Sequence, residues 1–373
     1  MHVVIAGAGV AALEATAALR SLAADRVQLT LVAPDRTYVT RALQPLSAFG
    51  VTAPPQVSVR DLADRLGADL ARDRVHWVDR DGRTAHCRSG AAIAFDALMI
   101  GVGAAPHIRF PQALALHDGA APGLTQLVAE ITSGDVRRVA FVAPERMAWP
   151  LPLYEAALMT ATLGRRHHRR LDLTLITAEA AALQPFGEDA TAEMQALLDH
   201  HGVALVTSTH CRIPANDRVL LTSERGDHVG ELAVDRVVAL PELTGPHLRG
   251  LPSAPCGFIP IDLFCRVAGS TDVYAAGDGA DYPVKHGGIA AQQADVAARC
   301  IAAAAGADVE PRPFHPTIHG MLLTGESPRY LTARLIGGHP FGSAVSSADS
   351  ATTAASAKVV ARYLAGLLDE VGR

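Results

Sequence analysis

Long apolar runs and concentrated positive charge are both missing from this sequence. No apolar run reaches the roughly 18 residues that a membrane-spanning helix requires, although 49% of the 373 residues are hydrophobic. The net charge is -5, whereas a nucleic-acid-binding protein needs a concentrated basic face. We therefore expect no membrane span and no nucleic-acid partner. The one basic run, residues 165–170, is interpreted as a solvated connection between a helix and the next strand.

Cysteine and lysine are scarce. The five cysteines are widely spaced and lack the CxxC spacing of redox and zinc sites, which favours a reducing cytoplasm. Only Lys285 and Lys358 stand against 31 arginines. Histidines are scattered, and adjacent His200 and His201 cannot place both rings on one helix face, so we expect no metal site. The start MHVVIAGAG leaves no room for a cleavable signal, so the predicted localisation is cytoplasmic.

A nucleotide-binding motif is present at the amino terminus. Residues 2–20 read as an apolar strand, a glycine turn and an alanine-rich helix. The turn matches the fingerprint GxGxxA: Gly7 permits the tight turn, Gly9 lets the backbone approach a pyrophosphate, and Ala12 allows close packing of the helix on the strand. The positive end of the helix dipole would face the phosphates. We therefore predict a dinucleotide at this turn.

The second strand, VQLTLVAPDR, lacks the acid that usually ends such a strand and binds a ribose diol. The strand-end position is Ala33, which is followed by Pro34 and Asp35. Asp35 is the candidate for the ribose contact, and a turn role after proline explains it equally well.

Two later strands indicate which dinucleotide is bound. Residues 95–106 end in Gly101-x-Gly103, and residues 271–280 end in Gly277-Asp278, ahead of an alanine-rich helix that runs to about residue 305. A NAD-only Rossmann enzyme needs neither motif. Together with the first turn they resemble the FAD-binding domain of two-dinucleotide-fold flavoproteins, in which the aspartate reaches the ribityl and phosphate region. The other predicted FAD-binding residues are Val10, Ala11, Arg41, Val75, Gly288 and Ile289.

With these motifs the chain resembles the flavoproteins that comprise type II NADH dehydrogenases, sulfide:quinone oxidoreductases and flavocytochrome c sulfide dehydrogenases, over about residues 1–340. The resemblance implies an α/β fold with two Rossmann-like, FAD/NAD(P)-binding domains, the second inserted in the first, and a small C-terminal region. We place the FAD-binding domain at residues 1–110 and 241–312. The inserted domain is placed at 111–240, and the C-terminal interface region with its tail helix at 313–373.

The expected phosphate loop of the inserted domain contains no glycine. It reads PERMAWP, residues 144–150, between a buried strand and a helix. Proline removes backbone donors and bulky side chains block the approach of a pyrophosphate, so we expect no NAD(P)H binding in the standard mode. Trp149, Pro150 and Tyr154 are predicted to line the donor side, with the filling of a disused nucleotide cleft as the alternative. The loop is similar to that of the sulfide-oxidising branch, but it lacks the cysteine that attacks sulfur there.

Two pairs of residues bear on electron transfer. Gln292 and Gln293 resemble the glutamine pair near the quinone site of the NADH dehydrogenases, although Gly288 replaces that family's earlier glutamine. Cys256 and Cys265 flank GFIPIDLF, a predicted hairpin beside the FAD domain. They are interpreted first as free thiols, with a redox pair as the alternative.

The carboxyl-terminal region combines a low-complexity stretch, residues 343–357, predicted to be mobile, with an apolar helical stripe over residues 358–371. The stripe could pack into the core or a homodimer interface, or touch a membrane as a peripheral contact. The acids Asp369 and Glu370 and the scarcity of cations favour packing, because interfacial helices usually carry a basic polar face.

The leading hypothesis is an FAD-dependent oxidoreductase that passes electrons from a non-standard donor to a quinone or another small acceptor. The isoalloxazine would carry the chemistry. Lys285 is the candidate for a charge beside its N1 and O2 edge, with a surface lysine before a helix as the alternative. The other hypotheses are a flavin-binding scaffold without turnover and an NADH-dependent quinone reductase.

Overall fold

Two five-stranded parallel sheets organise the chain. The computed structural model describes residues 1–43, 47–50, 56–117, 121–336, 339–347 and 358–371. The first sheet contains β1 (His2–Ala6), β2 (Gln28–Val32), β5 (Ala68–Ala71), β9 (Ala97–Ile100) and β20 (Val273–Ala275), in the order β20-β9-β1-β2-β5. The second contains β11 (Leu114–Ala115), β12 (Arg138–Val142), β13 (Asp172–Ile176), β14 (Val203–Val206) and β18 (Arg236–Ala239), in the order β11-β18-β12-β13-β14.

The central strands of both sheets are buried along nearly their whole length. In β1 every residue after His2 is buried, and in β12 every residue after Arg138. Such continuous apolar runs are typical of parallel strands that are covered on both faces. The helices are α1 (Val10–Ala23), α2 (Val59–Arg65), α3 (Ala121–Ser133), α4 (Leu151–Arg166), α5 (Glu188–His201), α6 (Gly287–Ala304) and α7 (Leu364–Val371).

Helices α1 and α6 pack extensively against each other, as their alanine-rich faces allow. The predicted alanine-rich helix that runs to about residue 305 is confirmed as α6, and β13, α5 and β14 form a βαβ unit in the second sheet. No helix within the described residues is both long and apolar enough to cross a bilayer.

The chain passes twice between the two sheets, and the two connections pair with each other. β10 (Ala105–His107) follows the first sheet's β9, and β19 (Glu242–Thr244) follows the second sheet's β18. They form an antiparallel pair, with Pro106 opposite Leu243. The predicted fold class, α/β with two Rossmann-like units, the second inserted in the first, is confirmed. The residue boundaries of the domains remain a prediction.

Smaller antiparallel sheets complete the fold. One is a two-stranded sheet of β3 (Thr37–Val39) and β4 (Gln56–Ser58). The other three have three strands each: β6 (Val75–Asp79), β7 (Thr84–Cys87) and β8 (Ala92–Ala94); β15 (His210–Ala215), β16 (Arg218–Thr222) and β17 (His228–Ala233); and β21 (Thr317–Leu322), β22 (Arg329–Ile336) and β23 (His339–Ser347). The last of these sheets lies within residues 317–347. The low-complexity stretch begins within β23, and its residues 348–357 lie outside the described residues.

The tail differs from the predicted continuous helix. Helix α7 begins at Leu364, and residues 359–363 are not helical. The difference arises because Lys358 is held in the interior by Glu155, and Glu14 accepts the backbone N–H groups of Tyr363 and Leu364. These long-range contacts start the helix later than the apolar periodicity indicates.

The basic run is only partly the solvated connection that its composition predicts. Its side chains are exposed, yet three arginines bind specific acceptors. The Arg169 guanidinium donates to the Thr132 and Ser133 carbonyls at the end of α3. Arg166 donates to the Gly325 carbonyl at 2.7 Å, and Arg165 pairs with Glu326 at 2.6 Å. The run therefore ties α4 to its neighbours.

Candidate functional site

The turn between β1 and α1 is packed as tightly as the fingerprint predicts. Gly7 has φ +114°, and a Cβ there would lie 2.3 Å from the Gly101 carbonyl oxygen. A Cβ at Gly101 would in turn lie 2.9 Å from the Ala12 nitrogen. The ends of β1 and β9 and the first turn of α1 therefore meet without room for any side chain at these glycines.

The outer side of the same turn is open. Gly9 caps α1, and a Cβ there would meet no described atom within 4 Å. No side chain of the described residues hydrogen-bonds to this helix end. The backbone N–H groups at a helix start form a ready anion site. Val10, half-buried, and the buried Ala11 and Ala12 follow directly, so the turn has the geometry that a dinucleotide pyrophosphate requires.

The Gly277-Asp278 corner converges on this turn. Gly277 has φ +79°, and a Cβ there would lie 3.2 Å from Ala11 Cβ and 3.3 Å from Ala290 Cβ. Its N–H donates to Gln293 Oε1 at 2.8 Å, which fixes the corner to α6. The end of β20, the start of α1 and the start of α6 thus surround one space.

A cavity of about 250 Å³ lies beside this corner. Four predicted site residues line it: Arg41, Trp149, Asp278 and Lys285. The sequence did not identify four ionisable residues that also line it: His117, Glu155, His286 and Lys358. The remaining lining residues are Ala42, Leu116, Leu124, Leu151, Pro152, Gly287 and Met321.

The other predicted cofactor residues are not in the lining of this cavity. Asp35 is exposed after β2, and its carbonyl accepts a hydrogen bond from Arg72. Val75 is buried in β6, and Gly103, with φ +72°, faces open space. Gly288 and Ile289 are buried in the first turn of α6. Their contacts with a cofactor remain a prediction.

Lys285 is a buried cation, not a surface lysine. Its Nζ donates to the Ala280 carbonyl and lies 3.9 Å from the centre of the Phe258 ring. Burial lowers the pKa of this ammonium to about 8, against the opposing effects of Asp278 and Asp281. Lys285 therefore still carries positive charge at neutral pH, close to the point at which it can lose a proton.

His286 supplies a neutral neighbour to that charge. Its Nδ1 accepts the Gly288 N–H at 3.2 Å and caps α6. Burial, reinforced by Lys358 and His319, lowers the pKa of the imidazole to about 3. The ring lies 4.6 Å from that of Trp149, which also packs on Phe186.

Glu155 and Lys358 form a buried ion pair at the cavity. Their side chains are 1% and 5% exposed, and Lys358 Nζ also donates to the Met321 carbonyl at 2.6 Å. Glu155 accepts the Leu323 N–H at 2.9 Å. Burial raises the pKa of the glutamate and lowers that of the lysine, while their mutual attraction opposes both shifts. The pair therefore holds one exchangeable proton beside the cavity.

The glycine-free loop of the second sheet is bound to the first unit. It spans residues 143–150, compared with 7–9 in the first turn. Arg146 pairs with Glu242 and contacts Cys256 Sγ at 2.6 Å, and the Ala148 carbonyl accepts the Lys285 N–H at 3.3 Å. The loop is thus longer than the first turn and is fixed by contacts to the first unit.

Tyr154 points away from the cavity. It is fully buried, and its hydroxyl donates to Glu179 Oε2 at 2.9 Å, just beyond the end of β13. Burial raises the pKa of the Glu179 carboxyl to about 7. Pro150 is the N-cap residue of α4 and, like Tyr154, is not part of the described cavity lining. Of the three predicted donor-side residues, the structure brings only Trp149 to the cavity.

Comparisons with known proteins agree with this architecture. Residues 154–302 match the family described as pyridine nucleotide-disulphide oxidoreductase. The sulfide:quinone oxidoreductase of the hyperthermophilic bacterium Aquifex aeolicus is 17% identical with a TM-score of 0.81, over 93% of this chain and 87% of that chain. The ferredoxin reductase for the CYP199A2 system of Rhodopseudomonas palustris is 19% identical with a TM-score of 0.66, over 90% and 83%. NDH2 of Plasmodium falciparum, in complex with NADH, is 14% identical with a TM-score of 0.60, over 75% and 65%.

The likenesses to solved structures show the fold, and residues 154–302 resemble the pyridine nucleotide-disulphide oxidoreductase family. No curated protein matches the chain in sequence. The predicted resemblance and the oxidoreductase class are confirmed.

The predicted glutamine pair makes its hydrogen bonds inside the protein. Gln292 donates to the Thr317 carbonyl at 2.7 Å and accepts the Thr317 N–H, which joins α6 to β21. Gln293 is fully buried and holds Gly277. Both amides therefore position backbone around the cavity.

Cys256 and Cys265 are free thiols, as first interpreted, and do not form the disulfide that the alternative would allow. All five cysteines, each within the described residues, are free thiols. Cys256 contacts Arg146, whereas Cys265 is completely buried and burial raises the pKa of its thiol. The predicted hairpin is also replaced by a short turn, with Ile261 bridged to Val267 and Cys256 in a 3-10 turn.

Proposed function

We propose that the protein is an FAD-dependent oxidoreductase that passes electrons from a donor other than conventionally bound NAD(P)H to a quinone or another small acceptor. One observation carries the proposal. Asp278 and Lys285, from the first unit, share a cavity with Trp149 and the Glu155–Lys358 pair. The corner at Asp278 and Lys285 is suited to a redox cofactor, and the cavity beside it contains a buried acid–base pair that can hold a proton.

The residues at the corner fit FAD. The open turn at Gly9 and the start of α1 would hold the pyrophosphate, and Asp278 would hold the ribityl region. Lys285 and the start of α6 would stabilise negative charge on the pyrimidine edge of the flavin. FAD, when bound, supplies the two-electron chemistry, while the protein orients it and tunes its surroundings.

The second loop argues against a conventional nicotinamide site. Arg146, Met147 and Trp149 are held by contacts to other parts of the protein. A pyrophosphate in this position would have to displace them and would meet two prolines that cannot donate hydrogen bonds. Electrons therefore enter from a donor that reaches the cavity itself.

The chain's own groups can manage the proton that accompanies a quinone or similar acceptor. Glu155 and Lys358 hold a proton where burial makes either ionisation state expensive. His286 stays neutral because burial depresses its pKa, so it leaves the local charge unchanged. Trp149 supplies the apolar wall on which a flat ring could stack.

An anaerobic stopped-flow titration tests the function. The flavin absorption of the loaded protein is followed while NADH, NADPH, sulfide, thiols and reduced quinones are added separately. We expect bleaching by at least one non-nicotinamide donor and none by NADH at catalytic rates. Rapid bleaching by NADH would instead support an NADH-dependent reductase. Bleaching by no donor, with dithionite-reduced flavin inert to quinones, would support a scaffold without turnover.

A further inference from the structure

The segment 358–371 is fastened to the protein at two distant places. At one end, Lys358 is buried against Glu155 and the Met321 carbonyl. At the other, the start of α7 is held by Glu14 of α1, which is 0% exposed. Glu14 Oε1 accepts the Tyr363 N–H at 2.9 Å, and Oε2 accepts the Leu364 N–H at 2.6 Å. Both oxygens of one carboxylate therefore cap one helix.

A second carboxyl group lies beside this cap. Asp295 of α6 adjoins Glu14, and its Oδ1 is buried without a hydrogen-bond partner among the described residues. Glu14 is fully buried and Asp295 is half-buried with its Oδ1 inside, and two carboxyl groups so placed do not readily both ionise. Burial, followed by repulsion from Glu14, raises the pKa of Asp295 to about 8, and Arg362 and Arg299 oppose the shift.

Other charged and titratable groups among the described residues also lie near the pair. Burial raises the pKa of the Tyr38 phenol, Thr40 and Arg41 lower it, and Glu14 raises it further. On α7 itself, Glu370 pairs at 4.0 Å with exposed Arg65. Because Arg362 and Arg299 offset only part of the burial and repulsion that act on Asp295, a proton neutralises the second carboxylate.

We propose that Asp295 holds a proton beside the Glu14 cap of α7, and that this proton keeps segment 358–371, and with it Lys358, docked against the cavity. Protonated Asp295 leaves Glu14 with a single negative charge directed at the two N–H groups of α7. Ionised Asp295 places a second negative charge beside that cap and drives water into the α1–α6–α7 junction, which loosens the segment. Glu14 and Asp295 are thus positioning residues for Lys358.

The sign of the pH dependence follows from the raised pKa. The docked state binds a proton that an opened, hydrated Asp295 releases at about its ordinary pKa of 3.9. Docking therefore weakens as pH rises between that value and about 8, by at most about tenfold per pH unit, and levels off above it. Segment 358–371 is therefore docked more firmly at acidic pH and less firmly at alkaline pH.

Hydrogen exchange measured by mass spectrometry, corrected for the intrinsic pH dependence of exchange, tests the proposal on the full-length protein. We expect the protection factor of peptides covering 358–371 to fall at least about tenfold from pH 6 to pH 9, while peptides of β1 and β9 change little. In Asp295→Asn, an amide should replace the protonated carboxyl and remove this dependence. Asp308→Asn, an exposed acid beyond the end of α6, is the matched control and should behave as wild type.

Two results would overturn the proposal. One is wild-type protection of 358–371 that is constant across this range. The other is an equal pH dependence in Asp295→Asn, whose folding is verified from the protection of β1 and β9. The effect on the flavin site rests on the proposed function, whereas the exchange measurement does not. A protein without redox turnover could still show the switch, so the two failures are distinguishable.

Discussion

Replacing Lys358 by Met removes one partner of the buried pair, while the methionine side chain fills most of the volume of the lysine. Glu155 would keep the Leu323 N–H but lose its counter-charge in a position where it is 1% exposed. Breaking a buried pair in this way costs about 3–5 kcal/mol. We therefore expect Lys358→Met to lower the free energy of unfolding by that amount at pH 7.5, measured by urea denaturation of the FAD-loaded protein.

The pH dependence identifies the mechanism. Without Lys358, burial still raises the pKa of Glu155, so the folded protein binds a proton that the unfolded chain releases. Stability of Lys358→Met should therefore rise as pH falls from 7.5 to 5, by up to about 1.4 kcal/mol per pH unit. The double variant Glu155→Gln/Lys358→Met should recover much of the loss and lose this slope.

A surface pair provides the matched control. Arg218 and Glu231 lie 3.8 Å apart with side chains about half exposed, so Arg218→Met should cost less than about 1 kcal/mol at either pH. If Lys358→Met costs no more than this control and shows no pH dependence, the buried pair does not contribute as the structure indicates.

Three further predictions concern the cofactor corner and the arginine run. Gly9→Leu fills the open turn, so the FAD retained after gel filtration, measured by absorbance, should fall at least roughly tenfold. The backbone amides of β12 to β14 should stay protected from hydrogen exchange. Normal FAD retention would contradict the assignment. Lys285→Met removes a buried cation, so the flavin midpoint potential should fall by about 20–45 mV, the two-electron equivalent of about 1–2 kcal/mol. A plot of the potential against pH should also lose its change of slope near pH 8. An unchanged potential would place Lys285 away from the flavin. Arg169→Ala removes the hydrogen bonds to the end of α3, so the urea midpoint should shift by less than about 1 kcal/mol in equivalent stability, with no change in flavin potential; a change in potential would contradict a purely local role.

Much of the first unit could be predicted because its signals are local. Three neighbouring segments carry these signals: the strand, the turn with Gly7 and Gly9, and the alanine-rich helix. Gly7 is needed because the adjacent backbone leaves no room for a larger side chain. The Gly277-Asp278 corner was predicted in the same way. For Asp278 the structure adds a place in the cavity lining, and for Gly277 a close approach to Ala11.

The cavity's ionisable groups could not be predicted because their meaning depends on distant partners. Lys358 lies 203 residues from Glu155 in the sequence. It also begins an apolar helical stripe, which gives no indication that the lysine is buried in an ion pair. Tyr154 had a plausible place in the donor site, but the register of α4 turns it toward Glu179 and presents Glu155 to the cavity. The scarcity of lysine was the one available signal, since both lysines of the chain line this cavity.

A crystal structure of the protein with FAD and an excess of NADH tests the central claim most directly. We predict flavin density running from the turn at residues 7–9 to the Gly277-Asp278 corner, with residues 143–150 in their present contacts and free of ligand. A nicotinamide coenzyme seated against residues 143–150, or a first unit without flavin, would contradict the account.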